Sequence, residues 1–165
     1  MVTQQPPSTH NEKIDVKYDK FKDATIVVLW KMKLGAGALG SLPEPGLRYN
    51  LQLSIISHYS GRNAPVLFAD SVLFSFEYGG PVSLMSTHPD LILLVDDHRD
   101  VLTVRQGITV LPSRDWPAAD VTIPPDLLVR LCKAKKIEGQ LGPVEFHFDQ
   151  SNFAALRDFE NRLHQ

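Results

Sequence analysis

The chain carries one cysteine, Cys132, in 165 residues. An internal disulfide and an all-cysteine metal site are therefore excluded, and within an expected helix this thiol reads as a buried, inert side chain rather than a nucleophile. Charge of one sign is missing as well. Seventeen Lys and Arg stand against nineteen Asp and Glu, a formal charge of −2, which supplies no general attraction to nucleic acid or anionic lipid. No apolar run approaches the roughly 18–20 residues of a membrane-spanning helix. The histidines His10, His58, His88, His98, His147 and His164 show neither H-x-x-x-H nor H-E-x-x-H spacing, and there is no G-x-S-x-G elbow, so neither a zinc signature nor a nucleophile turn is written in the chain.

What is present is a globular composition, 43% hydrophobic against 22% charged residues, in a chain long enough to bury one core without cross-links. Residues 1–13 are polar, contain Pro6-Pro7 and lack a basic-then-apolar signal segment, which predicts a flexible tail ahead of a single domain over 14–165. Such a Gln/Pro/Ser/Thr leader suits the tether of an exported or envelope-attached protein, and that location is favoured over the cytoplasm.

Alternation predicts strands over Ile14–Tyr18, Thr25–Leu34, Leu47–Ser57, Val66–Phe68, Val72–Tyr78, Leu91–Val95 and Val101–Val104. In the second of these Ile26, Val28, Trp30, Met32 and Leu34 share one face. Gly35–Gly46, with four glycines and two prolines, reads as a loop, and Gly107–Ala119 as irregular chain. Trp30, Tyr49, Phe68, Phe74, Phe76 and Phe146 fall at core-facing spacing on separate strands.

The last 44 residues, Thr122–Gln165, carry start and stop signals that agree. Pro124-Pro125-Asp126 suits a first helical turn, where a missing N–H is no loss and an acid meets the positive helix end. Leu127, Leu128, Leu131 and Ala134 then form an apolar stripe. Ile137–Leu141 and Val144–Phe148 alternate on either side of Gly142-Pro143, a hairpin whose proline points to a sheet edge. Asp149 or Ser151 caps a final helix with a seam of Phe153, Leu156, Phe159 and Leu163. The whole is a mainly β, α+β fold: an antiparallel sandwich or strongly bent sheet of about eight or nine strands, with two C-terminal helices flanking a hairpin.

Four motifs invite chemistry. Gly35-Ala36-Gly37-Ala38-Leu39-Gly40 matches the dinucleotide fingerprint, but Pro43, Pro45 and Gly46 leave no room for the helix that must aim its N-terminus at a pyrophosphate, so no cofactor is expected. His88-Pro89-Asp90 spells the J-domain tripeptide without the flanking helices. His98-Arg99-Asp100 spells part of the kinase catalytic loop, with Arg105 where asparagine is required. Asp96-Asp97-His98-Arg99-Asp100 is the densest group of capable side chains, and Asp96, Asp97, His98 and Asp100 are the candidate site for a small metal-dependent hydrolase. Against that, Asp and His are also turn residues whose neighbours diverge. Arg114 and Trp116, in a proline-flanked loop, are candidates for contact with a ligand or partner. Lys133, Lys135 and Lys136 read as the wet end of a helix.

Val16-Lys17-Tyr18-Asp19-Lys20-Phe21-Lys22-Asp23 followed by a strand, and Ala134-Lys135-Lys136-Ile137-Glu138-Gly139-Gln140-Leu141-Gly142 before a Phe-rich helix, resemble small bacterial domains of uncharacterised function that are often exported or lipid-tethered. The resemblance implies a bacterial origin and an envelope location, and no reaction or ligand. The leading functional expectation is a non-enzymatic interaction or ligand-binding domain, with a protein or small molecule as partner and neither nucleic acid nor a membrane span. The alternatives are the hydrolase above and a structural subunit that self-associates into a homo-oligomer through a sheet edge.

Overall fold

The computed structural model describes residues 10–38, 50–62, 71–79, 90–106, 118–142 and 144–163. The expected strand at Val66–Phe68, the contact candidates Arg114 and Trp116, and Tyr49 lie outside the described residues. In chain order the elements are β1 (Ile14–Asp19), β2 (Ala24–Ala38), β3 (Asn50–Ser60), β4 (Ser71–Gly79), β5 (Asp90–Val95), β6 (His98–Thr103), β7 (Arg105–Gln106), β8 (Ala118–Ile123), α1 (Pro125–Lys133), β9 (Ile137–Leu141), β10 (Val144–His147) and α2 (Gln150–Leu163). The fold is mainly β, as the alternation predicts. Its strands run β6-β5-β9-β10-β2-β3-β4-β8-β7, with β1 on a second branch beside β2. Every pairing is antiparallel. The sheet bends far enough to bring β6 against β8 from the other half of the order, so it is nearly closed like a barrel.

The bend is built into β2. On one side it pairs with β3; on the other, residues 24–29 pair with β1 and residues 35–38 with β10. Between Leu29 and Met32 the register with β3 shifts, and Lys31 takes a left-handed φ of 45°. Its N–H leaves the ladder and donates to Ser54 Oγ at 3.0 Å. One extra residue reverses the pleat. The single face expected for Ile26 through Leu34 is therefore corrected: Val27, Leu29, Met32 and Leu34 enter the main core. Ile26, Val28 and Trp30 instead join Ile56 and Leu73 in a small cluster on the opposite face. Trp30 is removed from the expected core aromatics, whereas Phe74, Phe76 and Phe146 stay, with ring centroids 6.2 and 5.5 Å apart along the row.

The C-terminal hairpin is not an edge. β9 pairs with β5 and β10 with β2, so it closes the sheet from the middle. Gly139 makes this possible, because a β-carbon there would overlap the Phe146 ring packed over it. β8 corrects the irregular assignment to Ala119: Ala118–Ile123 pairs with β4 along its whole length. Its inward residues Ala119, Val121 and Ile123 alternate with a buried Asp120, and a small residue beside a buried acid hides the alternation.

Both helices begin where expected. Pro124 takes an extended conformation ahead of α1, which buries Leu127, Leu128, Leu131 and Cys132. At α2 the Asp149 carboxylate accepts from the Asn152 N–H while the Asn152 amide oxygen accepts from the Asp149 N–H, both at 2.9 Å, a reciprocal cap. Asn152 Nδ2 also donates to the Lys33 carbonyl at 2.8 Å and fastens the helix to β2. Phe153, Leu156, Phe159 and Leu163 are buried beneath it, each such side chain contributing about 1.5–3 kcal/mol by leaving water. The described chain starts at His10. Its imidazole is buried between Glu12 at 3.2 Å and Asp158 of α2 at 3.1 Å.

Candidate functional site

The five residues Asp96–Asp100 form the turn between β5 and β6 and the start of β6. Val95 and His98 pair, which leaves a two-residue loop with Asp96 and Asp97 at φ 48° and 69°, the left-handed pair that a tight hairpin requires. The side chains then separate. Asp96 Oδ1 accepts from the N–H groups of Lys135 and Lys136 at 3.0 and 2.9 Å, and the Asp96 N–H donates to the Lys136 carbonyl at 3.0 Å. Asp100 grips the Arg130 guanidinium through two bonds of 3.0 and 2.8 Å. That bond to Asp100 pushes the Arg130 pKa further above its already high value. Asp97 and His98 are exposed, with His98 Nε2 at 4.0 Å from Asp100. Two of the four candidates thus anchor α1 and the connector that follows it. Among the described residues no three His, Cys, Asp or Glu side chains are grouped to hold a metal.

The glycine fingerprint opens inside a strand. Gly35–Ala38 are the end of β2, paired to β10, and Gly35 lies directly under the exposed His147 ring. Cys132 is buried, and desolvation, with a smaller push from Glu160, raises its thiol to about 12. At neutral pH it holds its proton. No helix among the described residues is long and apolar enough to cross a membrane.

Two arrangements escape the sequence reading. One is polar and covered: Ser54, Ser75, Glu77 and Asp120 are buried on the outward-pleated positions of β3, β4 and β8, with Ser75 Oγ donating to Asp120 at 2.7 Å. Lys31 Nζ stands 3.9 Å from Glu77, whose Oε1 has no hydrogen-bond partner among the described residues. Strand alternation carries no mark of these side chains being covered.

The other is the β1–β2 turn. Tyr18 pairs with Thr25 and Asp19 with Ala24, so Lys20-Phe21-Lys22-Asp23 form a four-residue loop closed by Asp23 at φ 45°. Asp19 Oδ1 accepts from the N–H groups of Phe21 and Lys22 at 2.9 and 3.3 Å, and Tyr18 Oη donates to Asp23 Oδ1 at 2.8 Å. The end of β3 braces it: the Gly61 N–H donates to the Asp23 carbonyl at 2.7 Å, Thr25 Oγ1 to the Gly61 carbonyl at 2.6 Å, and Arg62 lies 4.5 Å from the Tyr18 ring centroid. This well-bonded loop holds Phe21 in water at 89% exposure, with Lys20 Nζ 5.1 Å from its ring centroid. An aromatic between two lysines at a turn was the available signal. On the adjoining strand Trp30 Nε1 donates to Asp15 at 2.9 Å, and the hydrogen bond from Lys13, followed by that from Trp30, holds the Asp15 carboxyl below its ordinary value.

Compared with known proteins, the chain matches no family model, no curated protein and no solved structure.

Proposed function

We propose that this chain is a non-enzymatic interaction domain, of bacterial origin, whose contact surface is the β1–β2 hairpin. The observation that carries the reading is Phe21, held at 89% exposure by a turn in which both flanking carboxylates serve as internal acceptors. A folded chain gains nothing in stability from an aromatic ring kept in water, so a ring fixed there is suited to meeting something else. Val16, on the same hairpin, is 53% exposed on a strand that among the described residues pairs only with β2, which extends the surface along the strand. The hydrolase alternative is less well supported, because Asp96 and Asp100 are already occupied in holding α1 and its connector.

Photo-crosslinking in intact cells tests the reading. A crosslinker in place of Phe21 is expected to give a protein or lipid adduct that disappears when Lys20 and Lys22 are both changed to Glu. The same group in place of Val101, exposed on β6, is expected to give none. No adduct from position 21, or equal adducts from both, would defeat the proposal. A metal ion that raises the melting temperature of the wild type but not of an Asp97→Ala, His98→Ala double variant would move the assignment to the enzyme.

A further inference from the structure

We infer that the partner of the β1–β2 hairpin is an anionic bilayer surface, with Phe21 entering the interface and the cations behind it resting on the headgroups. This rests on the reading of the hairpin as the contact surface and names what it contacts. The net charge of −2 conceals a local inversion. Lys17, Lys20, Lys22 and Arg62 gather at this end of the sheet, and none of them lies within ion-pair distance of a carboxylate among the described residues. The two acids of the turn, Asp19 and Asp23, are engaged by backbone N–H groups and by the Tyr18 hydroxyl. Among the described residues four cations against two tied carboxylates leave the tip positive, and a charged surface is felt over a Debye length of about 8 Å at physiological salt.

Shape decides between targets. A nucleic-acid site needs a groove to track the backbone and successive aromatic platforms, whereas among the described residues one fully exposed ring, Phe21, stands at the turn of this hairpin. A protein interface needs an anchor ringed by contacts that exclude water, whereas the chain neighbours of Phe21 are the charged Lys20, Lys22 and Asp23. A bilayer accepts a single ring flanked by cations: the ring sits at the headgroup boundary, and long lysine side chains reach back to phosphate. The Asp19 and Gly61 hydrogen bonds hold the loop in place, so little ordering is required on contact.

Co-sedimentation of the full chain with vesicles tests this. Vesicles of phosphatidylcholine containing about one-third phosphatidylglycerol are expected to bind at least about tenfold more tightly than phosphatidylcholine alone, with the difference lost near about 1 M salt. Phe21→Ser should weaken binding about tenfold, and Lys20→Glu with Lys22→Glu should abolish it, both with an unchanged melting temperature because these side chains are exposed. The proposal is overturned by absence of binding to the anionic vesicles, by equal binding to both compositions, or by indifference to Phe21→Ser. Tighter binding of a single-stranded oligonucleotide through the same residues overturns it in favour of nucleic acid. A protein adduct from position 21 in cells without vesicle binding also overturns it, while leaving the interaction reading intact.

Discussion

The imidazole of His147 covers Gly35 so closely that a β-carbon on that glycine would overlap the ring. The two residues are cross-strand partners on β10 and β2, and the contact sits where the C-terminal hairpin joins the long strand. Gly35→Ala is expected to cost about 1–3 kcal/mol, the usual penalty of overpacking. Truncating the exposed ring with His147→Ala should recover most of that loss in the double variant. Urea unfolding of the four proteins of the cycle checks it, and additivity would show that the two sites do not touch.

The β5–β6 turn yields opposite expectations at adjacent positions. Asp97 is exposed and left-handed with no ion pair or hydrogen bond among the described residues, so Asp97→Gly produces the Asp-Gly pair that such turns prefer and should stabilise by about 0.5–1 kcal/mol. Asp96 holds two N–H groups of the α1–β9 connector, so Asp96→Ala should destabilise by about 1–2 kcal/mol. Hydrogen exchange at Lys135 and Lys136 should accelerate in the second variant alone.

Asp158 gives a pH signature. Burial opposes its charge most strongly, but hydrogen bonds from Arg162 and then His10 outweigh that and hold the carboxyl below its ordinary value. A carboxyl depressed in the folded state stabilises at pH values above its unfolded pKa, about 3.9, and that contribution disappears as pH falls through the lower folded value. The wild type should therefore exceed Asp158→Asn in melting temperature at pH 5, with the gap closing steadily below about pH 4. A gap that widens on acidification would contradict the assignment.

Cys132 should be silent to reagents. With its thiol buried and raised to about 12, alkylation at pH 8 should proceed only as fast as the chain opens and should accelerate in step with urea. Rapid labelling of the native protein would mean that the helix pair opens locally.

Much of this architecture is legible in the residues. The Pro124 start, the Leu127–Leu131 stripe, the Asp149 cap and the β9–β10 alternation all rest on local chemistry, and α1, α2 and the hairpin occur where that chemistry places them. What local chemistry does not carry is pairing. The hairpin's proline suggested an edge, but β5 and β2 flank it on both sides, a fact set by chain segments far away in sequence. β8 was hidden because Asp120 is buried with Ser75 on a neighbouring strand, a partnership invisible from either residue alone. The candidate carboxylates behaved likewise: Asp100 meets Arg130 and Asp96 meets the 135–136 amides only once α1 has docked. The Phe21 turn was visible as residues, while its exposure required the bracing from Gly61 and Thr25.

The extra residue at Lys31 also has a consequence for change over time. Because Leu29 and Met32 face Ile55 and Leu53, two positions apart on β3, losing Trp30 or Lys31 would leave a regular ladder with Val27, Leu29, Met32 and Leu34 still turned inward, whereas losing a residue within either half of β2 would turn the remainder of that half inside out. Length variation in this chain should therefore accumulate in the connections and, within β2, be tolerated at the bulge itself, where a one-codon deletion leaves the sidedness of the strand unchanged.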